Sequence, residues 1–451
     1  MAEIALARVC AFAVVRRVFE SGAFADRALH TEAAGLDPRD RALAMALAYG
    51  TVQRRATLDH IAAALTSRPP AELDPPVLAA LRLGLFQLLF LGGIADHAAV
   101  NDSVELCKRA GGGGAALVNA VLRRAIREGR ALLQALGEAT SADAAILHSV
   151  PEFVAELWWE QLGSERARTL LRAINQPPES AIRANTLLGT RTEVLERLPV
   201  AGLEAVALPE GILVPGGFDA HASELFREGK IMPQSRASML VARVLAPRPG
   251  DRVLDLCAAP GAKTTHLAAL MGGQGSLDAV EVNPRRADGL ERTCGRMGAG
   301  FVKVRRADAT DLHGLAPTRD ASAVTGRGGY DRVLVDPPCS GLGTLQSRPD
   351  LRWRVTPQRL VDVAELQARI LAAGAAATAP GGSLVYSVCT ISAEEGERLV
   401  ARFLEANPEW HAEDLRERYP QWSHPGDPRH LQLLPDRDGT DGFFIARLSR
   451  A

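Results

Sequence analysis

From residue 1 to about 145, apolar residues recur every three or four positions. Ala7, Cys10, Ala11, Val14, Val15 and Val18 share one helical face, and Leu43, Leu47, Leu78, Leu81, Leu85 and Leu88 keep the same spacing. Breaks fall at Asp37-Pro38, Arg68-Pro69-Pro70, Asp74-Pro75-Pro76 and the run Gly111–Gly114. Asp74 is placed to cap a helix beginning at the prolines, because proline fits a first turn where no N–H is needed. The pattern predicts an all-helical domain over 1–145, with at least five helices.

Over 146–238 the rhythm changes. Trp158-Trp159, Gln176-Pro177-Pro178 and the short β-like runs Ala181 to Asn185 and Gly211 to Val214 predict a small α+β module. From 239 to 451, strands alternate with helices. The expected strands are Arg252 to Cys257, Ser276 to Val282, Phe301 to Val304, Tyr330 to Asp336 and Gly382 to Ser387. Between them the expected helices are Thr264 to Met271, Pro284 to Met297, Val361 to Ala379 and Ala393 to Ala406. That alternation predicts an α/β domain with a parallel, doubly wound sheet. Leu431 to Leu434 and Gly442 to Leu448 supply a closing antiparallel pair.

Composition narrows the class. The chain has 451 residues, 47% of them hydrophobic, which is enough to build packed cores and excludes disorder as its main state. Of 52 basic residues only Lys108, Lys230, Lys263 and Lys303 are lysines, and the 53 acidic residues bring the formal charge to −1. A neutral total neither supports nor excludes a nucleic-acid partner. Cys10, Cys107, Cys257, Cys294, Cys339 and Cys389 are widely spaced, with no C-x-x-C pair. No disulfide framework and no zinc or other metal site is expected. The N-terminus lacks the charge order of a signal peptide. The longest apolar run, Val77 to Ala95, is interrupted by Arg82 and Gln87 and reads as a buried helix, not a membrane span. The expectation is a soluble cytoplasmic protein.

Ligands of open α/β sheets bind at the carboxyl ends of strands. After the first strand of the α/β domain comes Cys257-Ala258-Ala259-Pro260-Gly261-Ala262-Lys263-Thr264. Leu256 stands where a Walker A loop needs its first glycine, and G-x-G-x-x-G is absent, so phosphate-loop and dinucleotide readings fail. Two readings remain: a tight turn with a surface lysine, or a cradle for a nucleoside with a small charged tail such as S-adenosylmethionine. Glu281 after the second strand has the spacing of an acid that binds ribose hydroxyls, and Asp308 after the third is placed to reach an adenine edge. Both acids together favour the nucleoside.

The fourth strand ends in Asp336-Pro337-Pro338-Cys339-Ser340-Gly341 and the fifth in Ser387-Val388-Cys389-Thr390. One buried cysteine is usually a small hydrophobe. Two beyond adjacent strand ends, without metal partners, point to nucleophilic chemistry. Carbon 5 of a pyrimidine takes a methyl group only after a thiolate adds to carbon 6. A carboxylate at the base edge then stabilises the charge that develops, and a base removes the carbon 5 proton.

These motifs resemble the RNA 5-methylcytosine methyltransferases, and the whole chain resembles the RsmB (Fmu/Sun) type acting on 16S ribosomal RNA. The resemblance rests on the stretches Asp255 to Thr265, Asp336 to Thr344, Tyr386 to Thr390 and Gly442 to Leu448. At the N-terminus, Asp96 to Asn101 and Val118 to Arg124 resemble a NusB-like RNA-binding domain. The resemblance implies a Rossmann-like methyltransferase core at 239–451, preceded by the helical NusB-like domain and the α+β module. It implies Cys389 as the attacking thiolate, Cys339 as the thiol assisting release, and Asp336 as the residue holding the cytosine and bordering the cofactor. It also implies S-adenosyl-L-methionine held by residues Cys257 to Lys263, Glu281 and Asp308. The implied partner is 16S rRNA, naked or in an early assembly intermediate, bound by a monomer with neither membrane nor metal. The chain departs from the family at Ala262 and Val388, where glycine and threonine are usual, and at Pro337, where alanine is usual. None of the three removes a reacting group.

Weaker signals stay open. Trp158 and Trp159 either stack on RNA bases or, at helical spacing, place one ring in the core. Arg123, Arg124 and Arg127 either touch phosphates or form a solvated face. His97, after Asp96, reads as a capping contact, and Arg183 and Asn185 are implied by the resemblance to contact RNA. Alternatives to the leading function are the same chemistry on tRNA, or a non-catalytic NusB-like RNA-binding or antitermination factor.

Overall fold

The computed structural model describes residues 4–111, 113–204, 208–214, 218–312 and 329–451. Gly112, in the expected glycine break, lies outside them. The chain divides into two compact units, Met1–Gln176 with Leu345–Val355, and Pro177–Thr344 with Thr356–Ala451.

The first unit is helical among its described residues. Helices Leu6–Glu20, Ala25–Glu32, Pro38–Gln53, Arg55–Thr66, Pro75–Phe90, Asp96–Arg109 and Ala115–Gln134 pack around one core of small and aliphatic side chains. The apolar faces expected from the spacing are the buried ones: Ala7, Cys10, Ala11, Val14, Val15 and Val18 all point inward. Asp37 caps its helix by accepting from Asp40 N. Asp74 occupies the cap position without a side-chain bond, a correction to the expected cap: Pro75 and Pro76 remove two of the first-turn donors. His97 likewise makes no cap, since the helix follows Ala95 with no side-chain bond. Arg82 and Gln87 interrupt the apolar run as expected, yet both are buried; Arg82 grips Asp59 through two bonds of 2.7 and 2.8 Å. No helix among the described residues is long and apolar enough to cross a membrane.

Leu345–Val355 belongs to this unit through Arg352, whose side chain is fully buried. Its guanidinium donates to the carbonyls of Gln53 (3.2 Å), Ser149 (2.9 Å) and Leu345 (3.1 Å) and to Asn175 Oδ1 (3.2 Å). Burial and the neighbouring Arg54 draw its pKa down to about 9. Trp353 Nε1 adds a 2.7 Å bond to Val52 O.

The second unit begins with a small antiparallel sheet, order β2-β3-β1-β4, of β1 (Ala181–Ala184), β2 (Leu203–Glu204), β3 (Gly211–Leu213) and β4 (Ile231–Pro233). A larger sheet follows: β5 (Arg252–Leu256), β6 (Ser276–Val280), β7 (Val302–Arg305), β8 (Tyr330–Val335), β9 (Thr378–Val388), β10 (Trp410–Ala412), β11 (Leu431–Leu433) and β12 (Phe443–Arg450). Its order is β10-β12-β9-β8-β5-β6-β7, with β11 beside β12. β9, β8, β5, β6 and β7 are parallel, whereas β12 runs antiparallel to β9, β10 and β11. Strand alternation divides the apolar residues between two cores. Val253, Leu277, Leu334 and Val385 join the helix Arg236–Leu245 on one face; Leu254, Val333, Leu384 and Tyr386 join Pro357–Ala377 on the other.

Three elements start away from the sequence reading. The helix expected over Val361 to Ala379 spans Pro357–Ala377, because Pro357 fills its first turn and Thr356 caps it by accepting from Arg359 N. β9 starts at Thr378, four residues before the expected Gly382, because the pairing with β8 shifts register between Tyr330 and Arg332. The last expected helix starts at Glu397, not Ala393, because 393–396 turn inward and bury Glu395 completely.

Candidate active site

The parallel strand order reverses between β5 and β8, so the loops after these two neighbours flank a crevice at the carboxyl edge of the sheet. After β5, Cys257 takes a left-handed conformation (φ 62°) and Gly261 another (φ 103°), and the helix Ala262–Leu270 begins at once. A side chain on Gly261 would lie 2.8 Å from Leu290 Cδ1, so only glycine fits this turn. Lys263, in the first turn, donates to Asp336 Oδ2 at 2.8 Å, and Ser387 Oγ donates to Asp336 Oδ1 at 2.8 Å. The ends of β5, β8 and β9 are thus tied by one polar chain. Burial opposes the charge on Lys263, but Asp336, with Cys389 and Asp255, more than offsets it and raises its pKa.

The two thiols meet here. Cys339 Sγ and Cys389 Sγ are 3.2 Å apart. Their loops interlock: Gly343 N donates to Cys389 O (3.1 Å), and Gly442 N donates to Gly343 O (2.7 Å). A Cβ on Gly343 would fall 1.9 Å from Gly442 O, so this close approach needs glycine. The hydrogen bond to Cys389, followed by burial, holds the Cys339 thiol well above its ordinary pKa. Burial pushes Cys257 and Cys294 up to about 12 and Cys10 to about 11, so these remain inert thiols.

The acids divide. Asp255 is buried beside Thr264, whose hydroxyl donates at 2.6 Å; burial raises its pKa to about 7 against that bond. Glu281 is buried after β6. Its Oε1 accepts from Asn283 N at 2.9 Å, while Oε2 makes no hydrogen bond, although Arg286 Nη2 stands 3.3 Å away. An orphaned buried acceptor invites a ligand hydroxyl. Asp308 lies exposed on a turn, its Oδ1 held by Thr310 N and Oγ1 at 2.8 Å each, which lowers its pKa.

A model of the 16S rRNA methyltransferase RsmB/F family matches residues 242–449, with the NusB family over 5–127 and an RsmF/B-like ferredoxin-like domain over 150–221. A probable ribosomal RNA small subunit methyltransferase B of Synechocystis sp. is 35% identical over 99% of both chains. The chain belongs to the RsmB/F family. A ribosomal RNA small subunit methyltransferase B of Thermus thermophilus is 36% identical over 91% of this chain and 89% of that one. The crystal structure of PH0851 superposes with a TM-score of 0.83 at 26% identity, covering both chains completely. As a family member, this chain is an RNA methyltransferase with a NusB-like helical region and a Rossmann-like catalytic core.

Within that frame, Cys339, Cys389, Asp336 and Lys263 come together as one cluster. Arg183 and Asn185 correct the expectation of RNA contact, because both are buried and bonded inside the second unit. Arg183 donates to Gln234 Oε1 (2.8 Å) and Thr265 Oγ1 (2.9 Å), and Asn185 to the carbonyls of Gly229 and Met297 (2.8 Å each). They join the small sheet to the helix Ala262–Leu270 and to the turn after Pro284–Arg296. Trp158 is the core tryptophan, and Arg168 lies 4.8 Å over the ring of Trp159. On the Ala115–Gln134 helix, Arg123 bonds Asn119, Arg124 bonds Glu128 and Leu65 O, and Arg127 bonds Arg123 O. Sequence reasoning missed Glu395, because the acids Glu394, Glu395 and Glu397 read alike as a solvated helix start.

Proposed function

We propose that this chain transfers a methyl group from S-adenosylmethionine to carbon 5 of a cytosine in 16S rRNA, through a covalent bond between Cys389 and carbon 6 of the base. The observation that carries this reading is the pair of thiols 3.2 Å apart at a rim that also holds Asp336 and Lys263. Cys389, as thiolate, adds to carbon 6 and makes carbon 5 nucleophilic. Asp336 accepts from the exocyclic amine and fixes the base edge. After methylation solvent water takes the carbon 5 proton, the carbon 5–carbon 6 double bond reforms and the bond to Cys389 breaks, its electron pair returning to Cys389 Sγ. Cys339, the adjacent thiol, assists that release.

The cofactor site is argued from the orphaned Oε2 of Glu281 and the glycine-dependent turn at Gly261. Residues Cys257 to Lys263 line the loop that would hold S-adenosylmethionine, with Glu281 on its ribose, Asp308 toward its base, and Lys263 and Asp336 at its charged end. When bound, it supplies a methyl group activated by a positively charged sulfur. We assign RNA binding to the helical region 1–145 and the module 146–238, and catalysis to 239–451. Ribosomal RNA as substrate is supported by the functions the relatives' names give. The test is bisulfite sequencing of 16S rRNA from a strain lacking the protein. One 5-methylcytosine disappears, and it returns with the wild-type chain but not with Cys389→Ala. Unchanged methylation refutes the reading.

A further inference from the structure

Glu395 is fully buried, yet all of its hydrogen-bond donors are uncharged. Oε2 accepts from Ser340 N (2.8 Å) and Gln367 Nε2 (3.0 Å); Oε1 accepts from Ser340 Oγ (2.5 Å) and Thr390 Oγ1 (3.1 Å). Ser340 Oγ and Thr390 Oγ1 also lie 2.8 Å apart. Gln367 Nε2 bonds Pro338 O (2.9 Å), and Tyr386 OH donates to Glu395 O (2.7 Å). Both neighbours of Cys339 are therefore tied to this carboxylate, Ser340 directly and Pro338 through Gln367. Cys389 is tied to it only through Thr390. On its other side, two residues away, Ser387 bonds Asp336, which holds Lys263.

We infer that Glu395 is a positioning residue that sorts the two thiols: its buried negative charge keeps the proton on Cys339, while the Lys263 ammonium favours the thiolate on Cys389. Ionisation of the pair releases one proton to solvent and leaves the other on Cys339 Sγ, donated toward Cys389 Sγ. Other charged or titratable groups facing the pair are Asp336, neutralised by Lys263, and the Tyr386 phenol, whose pKa is raised by burial and by Glu395. Glu395 also contributes to the elevation of Cys339. Low dielectric makes such a fixed charge effective at short range. The inference rests on the proposed roles of the two cysteines and adds the reason why the roles are not exchanged.

The test uses the full chain without RNA or cofactor. Iodoacetamide is applied across pH, and initial alkylation of each cysteine is followed by peptide mass spectrometry. In the wild type Cys389 reacts at lower pH than Cys339. Glu395→Gln is the neutral isostere. Its amide donates to the two hydroxyls, and its oxygen still accepts from Ser340 N and Gln367 Nε2. The variant raises the Cys339:Cys389 rate ratio near neutral pH about tenfold, equivalent to one pKa unit. An unchanged ratio, or equal acceleration of both thiols, overturns the inference. So does a wild type in which Cys339 reacts first, a result that needs no variant. Alkylation records no methyl transfer, so a wrong RNA or base assignment leaves this readout intact. A reversed order beside normal methylation refutes only the role of Glu395.

Discussion

Cys339 Sγ and Cys389 Sγ stand 3.2 Å apart although fifty positions separate them in the chain. Under the proposed mechanism both thiols act on one cytosine, so removing either has a different consequence. Cys389→Ala is expected to abolish methyl transfer. Cys339→Ala is expected to leave attack intact and stall release, so that a nuclease-sensitive protein–RNA band accumulates on denaturing gels. The double variant is expected to show no band. A band in Cys389→Ala instead would exchange the two roles.

The Lys263–Asp336 pair is shielded from water, with side-chain exposures of 14% and 26%. Removing one partner strands the other charge. Lys263→Met is expected to cost about 3 kcal/mol in urea unfolding. It also weakens S-adenosylhomocysteine binding at least tenfold by calorimetry. Equal affinity in the variant would remove Lys263 from the cofactor site.

Glu281 offers one unbonded buried oxygen. A hydrogen bond to a charged acceptor contributes about 1.5–3 kcal/mol. Glu281→Gln should therefore weaken cofactor binding roughly ten- to a hundredfold while KM for RNA stays near that of the wild type. A loss confined to RNA affinity would contradict the assignment.

Three buried histidines are expected to make folding stability fall in acid. Burial lowers His148, His266 and His430 to about 4 each. The unfolded chain binds a proton near pH 6.5 and the folded chain does not, so stability is full above 6.5 and drains as pH falls toward 4. Each contributes on the order of 3 kcal/mol over that window. His266 touches Glu210 at 2.6 Å. His266→Gln should flatten the urea midpoint between pH 6.5 and 4.5; an unchanged slope would show that His266 is not buried as a neutral ring.

Arg352 binds carbonyl groups of Gln53, Ser149 and Leu345 through a planar fork. A lysine cannot reach them together. Arg352→Lys is expected to destabilise the helical unit by about 3 kcal/mol, as stranded buried acceptors do. Calorimetry should show this as a lower transition temperature.

The parallel sheet was legible because helices and strands alternate in period and the motifs fall at strand ends. The thiols and Asp336 were legible because Asp336 and Cys389 each follow a strand directly and Cys339 lies in the loop just beyond Asp336. Arg183 was misread: an arginine in a short β-like run has the same signature whether it meets RNA or turns inward to Thr265. Glu395 was invisible, since one acid among three carries no periodic signal until the turn at 393–396 folds inward.

The sequence by itself determined which reactive side chains the strand ends carry, because side-chain chemistry and local periodicity are properties of short stretches. The tertiary structure alone decided that Cys339 meets Cys389, that Asp336 is shared by Lys263 and Ser387, that Glu395 lies beneath neutral donors, and that Leu345–Val355 joins the helical unit. These are contacts between distant stretches, selected by the shared burial of polar groups that each need a partner.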